Sequence, residues 1–182
     1  MLVAGYGVTA KVIMIVTLIG IGIGSGVQPF LGFCYGAKQK ERLVKGIRFS
    51  ALFGLVFCFV VSALCYLFAE SIVKVFLTDE TALDSGVHFT RILMSTSWLI
   101  GAFAICQNTL QAVGAATPAL LASLFRQGII FIPALFIMKA LIGADGLIWA
   151  QPVADILSLA VVIWMLWKKI KKTDFSPFLG IQ

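Results

Sequence analysis

Two ionisable side chains lie inside long apolar runs of this sequence, which makes them the first candidates for chemistry. Arg126 falls near the start of the run 117–138, and Asp155 falls in the first half of the run 146–167. Charges inside membrane helices are costly and usually face a bundle interior or a water-filled cavity. We therefore predict that Asp155 faces the interior of a helix bundle.

Both residues also have structural interpretations. Arg126 can extend its side chain to the inner membrane surface, and Asp155 can be a carboxylate bonded to neighbouring backbone or hydroxyl groups. Because the two positions are predicted to lie at different depths in the membrane, no direct ion pair between them is assumed.

A second group of candidates consists of carboxamides in the apolar run 89–113. Gln107 and Gln111 are one helical turn apart and share a face, with Asn108 beside them. Such residues commonly form hydrogen bonds between membrane helices. The alternative interpretation is that they line a cavity for a bound molecule.

The first apolar run is rich in glycine and ends in a proline. Pro29 removes one backbone hydrogen bond and is predicted to kink or break the helix. Backbone groups freed in this way need protein or a water-filled cavity around them. Gln28 is therefore predicted to face a cavity, with a packing kink alone as the alternative. Four glycines form two pairs with the small-xxx-small spacing that permits close helix packing, Gly20 with Gly24 and Gly22 with Gly26.

The sequence lacks the residues that other kinds of chemistry would need. Neither the dinucleotide-binding glycine motif nor the P-loop spacing is present, and His88 is the only histidine. There is no Ser/His/Asp set or paired carboxylate, so an enzyme is not predicted. No cofactor and no metal site is predicted either. The four cysteines all lie in apolar runs without zinc-site spacing and are expected to pack as small apolar residues: Cys34, Cys58, Cys65 and Cys106.

The composition indicates what must position these residues. Of the 182 residues, 60% are hydrophobic and 12% are charged, and the mean hydropathy is +1.04. Soluble domains carry about 25% charged residues, so lipid is the expected solvent. The net charge of +6 comes mainly from basic residues at the ends of apolar runs, which is typical of membrane topology and does not suggest nucleic-acid binding.

The runs predict an all-α polytopic membrane protein with about five spans, since a crossing helix needs roughly 20 apolar residues. The long uncharged run after residue 91 is divided at Gly114–Pro118, which has a helix stop followed by a proline suited to a helix start. Residues 1–172 then form one transmembrane unit, and 173–182 form a tail. The predicted spans are 10–35, 48–69, 89–113, 117–138 and 146–167.

Charge in the connections predicts the orientation. Segment 36–48 contains five basic residues and one acidic residue, and basic residues also follow the last span. These segments are therefore placed in the cytoplasm, and segment 70–88 outside. Within 70–88 we expect short amphipathic helices with a capping signal at Thr78–Thr81, lying at the outer membrane surface; the alternative is a partner-binding surface. Met1 is then outside, and we expect at least one more span upstream of it.

Taken in order, the segments resemble the multidrug and toxic compound extrusion (MATE) family. The glycine-rich segment, followed by Lys38 and Arg42, is similar to the entry into the C-terminal lobe of that family. Three further segments are similar to its outer connection, its penultimate helix and its last helix: Phe76–Asp79; Arg126–Gln127 with Pro133; and Gly146 with Gln151, Pro152 and Asp155.

The resemblance implies part of a six-helix lobe, namely helices eight to twelve of a twelve-helix antiporter in the plasma membrane. Such a protein exports drug-like, often cationic molecules against an H⁺ or Na⁺ gradient, and the N-terminal lobe would be its partner. Asp155 becomes a candidate for coupling or gating. Some branches carry acidic cation ligands on helix ten, but span 89–113 has no acidic residue, so a Na⁺ site of that type is not supported. The alternatives are a lipid-linked saccharide flippase and a truncated, non-transporting subunit.

Overall fold

The computed structural model describes residues 2–76, 80–142 and 146–172. Within these ranges the chain forms eight α-helices, a π-helical segment at Phe125–Ile129, and no β-strand, so the predicted all-α class is confirmed. The predicted tail 173–182, and Thr78 and Asp79 of the capping signal, lie outside the described residues. The α-helices are α1 (Leu2–Gly36), α2 (Lys40–Leu67), α3 (Ala69–Phe76), α4 (Glu80–Ser97), α5 (Leu99–Ala112), α6 (Ala116–Leu124), α7 (Phe131–Ile142) and α8 (Gly146–Lys172).

Up to five of the segments in the described ranges are long and apolar enough to cross a bilayer. Four are continuous, and the fifth is the bent pair Leu83–Ser97 and Leu99–Ala112. The continuous spans are Gly5–Gly36, Lys40–Leu67, Ala116–Ala140 and Ile148–Lys171. This agrees with the predicted polytopic membrane fold.

Helix α5 is the centre of the bundle. Its residues 100–106 are buried without interruption, and so are Thr109 and Leu110. The first half of α5 is apolar around its whole circumference, and such a segment must be enclosed by protein or lipid. Helices α1, α2, α4, α6 and α8 all pack against α5. Side chains on α5 are therefore held by neighbours on several sides.

Glycines set the distance between α5 and its neighbours. A Cβ added at Gly24 of α1 would lie 2.5 Å from Nδ2 of Asn108, and one at Gly20 would lie 3.3 Å from Cγ2 of Ile100. A Cβ at Gly101 of α5 would collide with the carbonyl oxygen of Gly54 on α2. This close crossing of α5 and α2 was not predicted from the sequence.

The other predicted glycine pair does not pack in this way. Nothing described in the structure lies within 4 Å of a Cβ added at Gly22 or Gly26. Successive helical residues are about 100° apart, so these two glycines lie on the side of α1 away from Gly20 and Gly24. Close helix packing is therefore limited to one of the two predicted pairs.

Helix α2 shows how the bundle meets its surroundings. One face is buried and carries small or aliphatic residues, including Leu43, Gly54 and Cys58. The opposite face exposes large apolar residues, with Phe49 73% and Leu67 71% exposed. An apolar outer surface of this kind suits lipid, since scattered exposure of single apolar residues is the norm in soluble proteins.

The third span differs from the prediction 89–113. It begins at Glu80 and bends by 46° at Trp98, between α4 and α5. At the bend the hydroxyl of Ser97 donates a 2.6 Å hydrogen bond to the carbonyl of Leu93, and the indole of Trp98 donates one of 2.8 Å to the carbonyl of Ser95. Side-chain bonds of this type compete with the helical ladder and bend helices. Residues 80–88 therefore belong to the start of a spanning helix.

Helix α3 is the short amphipathic helix expected after the second span. It buries Ala69 and Val73 and places Glu70 and Lys74 on its exposed face, where they form a 2.6 Å ion pair. The hydrogen bond from Lys74 and its positive charge hold the pKa of Glu70 below the usual range. The location of α3 at the outer membrane surface remains a prediction.

Helix α1 continues through Pro29 to Gly36, so the predicted break is wrong. A proline removes only one ladder hydrogen bond, here the one to the carbonyl of Ser25, and packing against α5 supports the helix on both sides of it.

After the C-terminal end of α5, Gly114 adopts a φ of +69°, which favours glycine. It joins α5 to α6 within the segment 114–118 where the sequence predicted a division.

Candidate functional site

A cavity of about 400 Å³ lies between α1, α5 and the segment formed by α6 and the π-helix. Five of the predicted site residues line it: Gln28, Gln107, Asn108, Gln111 and Arg126. Pro29 does not line it, and Asp155 lies behind Arg126. The structure therefore brings together candidates that are separated by nearly a hundred residues in the sequence.

Sequence reasoning missed several polar residues that also line the cavity: Thr17, Ser25, Ser123 and Gln127. On α1, a signal for them was present. Thr17, Ile21, Ser25 and Gln28 recur at helical spacing and share one face of the helix. Extending the face of Gln28 backwards along the helix would have found Ser25 and Thr17.

The lining has an unusual balance of charge for a cavity inside an apolar bundle. It contains five carboxamides, three hydroxyl groups and one guanidinium, and none of its described residues is acidic. Phe103 is the only aromatic residue among them. The cavity is therefore rich in hydrogen-bond donors.

Two carboxamides are held in place by hydrogen bonds. Nε2 of Gln107 donates to the hydroxyl of Ser123 over 2.6 Å and so links α5 to α6. Nδ2 of Asn108 donates to the carbonyl of Ala104 over 2.9 Å, and its amide fills the space left by the missing side chain of Gly24. Gln107 thus fits both interpretations given to it, because it bonds to another helix and lines the cavity.

Arg126 and Asp155 form an ion pair. Nε of Arg126 lies 2.9 Å from Oδ1 of Asp155, and the two side chains are 13% and 6% exposed. The guanidinium carbon is 4.9 Å from the ring centre of Phe103, a cation–π distance. The arginine is thus fixed between a carboxylate on α8 and an aromatic face on α5.

The expectation that the two residues lie at different depths is wrong, and the start of α8 explains why. Gly146 packs so tightly against the carbonyl of Met138 that a Cβ would collide with it, so α8 starts beside Met138 on α7. Arg126 is twelve residues before Met138, and Asp155 is nine after Gly146. These separations correspond to about 18 Å and about 14 Å of helix, a difference that an arginine side chain can span.

The π-helical segment carries Arg126 and Gln127 at the cavity wall. Its wider turn is closed by the 2.9 Å hydrogen bond from the N–H of Ile130 to the carbonyl of Phe125. Four residues after Ile129, Pro133 supplies no N–H for the next part of the ladder. Single π-turns inside α-helices are often found at functional sites. The sequence did not predict this segment.

Within the part of the chain that the structure describes, no three His, Cys, Asp or Glu side chains come together as metal ligands. The arrangement at the cavity can bind a molecule through hydrogen bonds and one guanidinium. It offers no nucleophile paired with a base, which covalent catalysis would need.

Comparison with known proteins gives a consistent result. The MatE family model matches residues 1–137. The multidrug export protein MepA of Staphylococcus aureus (strain NCTC 8325 / PS 47) is 27% identical over 169 residues, which are 90% of this chain and 37% of MepA. MepA of Staphylococcus haemolyticus (strain JCSC1435) is 24% identical, over 91% of this chain and 36% of that protein. The chain thus spans little more than a third of the length of these curated relatives.

Two solved structures are similar to the fold. The MATE multidrug transporter DinF-BH, in complex with rhodamine 6G, superposes with a TM-score of 0.79 and 33% identity over 90% of this chain and 36% of that one. A point mutant of the Vibrio cholerae MATE transporter VcmN gives a TM-score of 0.81 at 19% identity, over 95% and 40% of the two chains, and supports the fold alone. The family model covers most of the sequence and the helices superpose on part of two such transporters, so this chain belongs to the MatE family of membrane transporters.

Proposed function

We propose that the chain is part of a secondary active multidrug exporter, which expels drug-like molecules in exchange for H⁺ or Na⁺. The observation that carries this proposal is the polar cavity between α1, α5 and α6, in a bundle that exposes large apolar side chains on its outer faces. Cavities formed by discontinuous helices are where such transporters bind their substrates. The bend at Trp98 breaks one of the spans here, and the π-helical segment widens one turn of another.

The coupling ion is H⁺ or Na⁺ in this proposal, and Asp155 is the local candidate for a coupling or gating residue. A carboxylate that is paired with an arginine in a bundle interior can favour one helix arrangement over another when it is protonated. Among the described residues, no group of three His, Cys, Asp or Glu side chains forms around Asp155. A carboxylate in the N-terminal lobe is the stronger candidate for cation binding.

We further propose that the protein is in the plasma membrane, with segment 36–48 and the C-terminus in the cytoplasm and the connection between the second and third spans outside. The partner within the exporter is the N-terminal lobe. The flippase alternative is not favoured, because a lipid-linked pyrophosphate needs several basic groups. Arg126 is the only basic residue in the described cavity lining.

The proposal is tested by dye export from bacteria that lack their own exporters and express the complete protein. We expect these cells to retain less rhodamine 6G than cells with an empty vector. A protonophore should abolish export if H⁺ is the coupling ion, and removal of external Na⁺ should abolish it if Na⁺ is. Equal dye retention with the protein verified in the membrane would contradict the proposal.

A further inference from the structure

We propose that the cavity binds the carboxylate of zwitterionic substrates, and that Arg126 is the residue that selects this group. The inference rests on the proposed export function and assigns a substrate class to the cavity. It follows from three features of the cavity wall. These are the sign of its charge, the nitrogen through which the guanidinium pairs with its carboxylate, and the hydrogen-bond donors that surround the guanidinium.

The arginine, rather than the aspartate, meets the cavity. Arg126 is a lining residue, whereas Asp155 is not and is only 6% exposed. The ion pair uses Nε of the guanidinium, which leaves the four N–H groups on the two terminal nitrogens for other acceptors. Paired N–H groups of this kind match the two oxygens of a carboxylate.

The neighbouring amides can complete such a site. The donors of Gln107 and Asn108 are engaged with Ser123 and the carbonyl of Ala104. Across the described ranges, no hydrogen bond is recorded for the side chains of Gln28, Gln111 and Gln127, which also line the cavity. A carboxylate has about four acceptor positions, so it can use the arginine and further amide donors together.

The cavity offers fewer favourable contacts to a positively charged group. No described lining residue carries a negative charge that could neutralise it. The ring of Phe103, the only described aromatic residue of the lining, is already covered by the guanidinium at 4.9 Å. The cation of a zwitterion is therefore expected to lie away from Arg126 while its carboxylate binds there.

The test uses two dyes that share a fluorophore. Rhodamine 6G is an ethyl ester and a cation, and its hydrolysis product rhodamine 19 is the corresponding carboxylate zwitterion. Binding to the complete purified protein in detergent is measured by fluorescence anisotropy. We expect the acid to bind about tenfold tighter than the ester, because hydrogen bonds to a charged group are stronger than those to a neutral one. Equal affinities, or tighter binding of the ester, would overturn the proposal.

The variants isolate the guanidinium. The double variant Arg126→Gln with Asp155→Asn removes both charges together, so it leaves no unpaired charge, and we expect the preference for the acid over the ester to disappear. Arg126→Lys keeps the ion pair but loses the paired N–H groups of the guanidinium, so it should reduce the preference for the acid over the ester. The matched control Arg91→Gln, on α4 away from the cavity, should leave it unchanged. A preference that persists in the double variant or in Arg126→Lys would overturn the proposal.

Dye export measured in parallel separates this inference from the proposed function. Export of both dyes without preferential binding of the acid would overturn the inference alone. Preferential binding that depends on Arg126, without export of either dye, would overturn the proposed function and support the assignment of the carboxylate site.

Discussion

Arg126 and Asp155 illustrate why a buried ion pair must be judged by both partners together. Their side chains are 13% and 6% exposed, so neither charge is well solvated. Removing one partner leaves the other charge without compensation and typically costs about 3–5 kcal/mol. Replacing both by neutral groups of similar shape removes this penalty and is often nearly neutral.

We therefore predict that Arg126→Gln and Asp155→Asn each lower the thermal unfolding temperature of the complete protein in detergent. The double variant should recover most of the loss. The exposed pair Glu70 and Lys74, whose side chains are both 57% exposed, supplies the matched control, and neutralising it should have little effect. A double variant that unfolds at or below the temperature of the worse single variant would contradict this view of the pair.

The two charges were identifiable from the sequence as candidates, but their contact was not. An isolated charge in an apolar run is visible in composition alone. Their relative depth depends on where α8 starts with respect to α7, which is set by the close packing of Gly146 on the carbonyl of Met138. A single contact between a glycine and a backbone carbonyl leaves no periodic pattern in a sequence.

At the scale of helices, the glycines on α5 and its neighbours determine how closely the bundle packs. Where a Cβ would collide with a backbone carbonyl, no rotamer change can relieve the contact. The carbonyl of Gly54 opposite Gly101 is such a case. Where a glycine faces open space, alanine instead favours the helix by about 1 kcal/mol.

We accordingly predict opposite outcomes for two Gly→Ala variants. Gly101→Ala should force α2 and α5 apart and destabilise the protein by about 1–3 kcal/mol, as overpacking does. Gly22→Ala, with nothing described within 4 Å of its Cβ, should leave stability unchanged or raise it slightly. Thermal unfolding in detergent, with the yield of monodisperse protein, measures both. Equal stability of the two variants would mean that Gly101 is not at a close helix crossing.

Helix boundaries show what hydropathy can and cannot predict. The number of spans followed from the lengths of the apolar runs, because burial in lipid depends on composition over about 20 residues. The bend at Trp98 and the π-helical segment Phe125–Ile129 depend on local side-chain bonds and tertiary packing, which average hydropathy does not report. The break allowed for at Pro29 is absent for the same reason, since packing on α5 supports the helix through it.

At the scale of the molecule, polar side chains converge on one cavity, and large apolar side chains are exposed on the outer faces of the helices. The exposed apolar face of α2 suits lipid, while the cavity lining collects carboxamides, hydroxyls and the guanidinium of Arg126. This arrangement can only be used for export if the cavity opens toward one side of the membrane and then the other. The orientation of the spans therefore determines which ends of the helices are the entrance and the exit.

The positive-inside pattern predicts that orientation, and cysteine labelling tests it. Arg42 at the start of α2 and Lys74 on α3 are both exposed, and basic residues concentrate in segment 36–48. In intact cells, a membrane-impermeant maleimide should label Lys74→Cys but should label Arg42→Cys only after permeabilisation. The unsubstituted protein is the control for its four native cysteines, of which three are buried and Cys65 is half-buried. Labelling of Arg42→Cys in intact cells, with Lys74→Cys protected, would invert the proposed topology, so that export would run from the face now assigned to the outside.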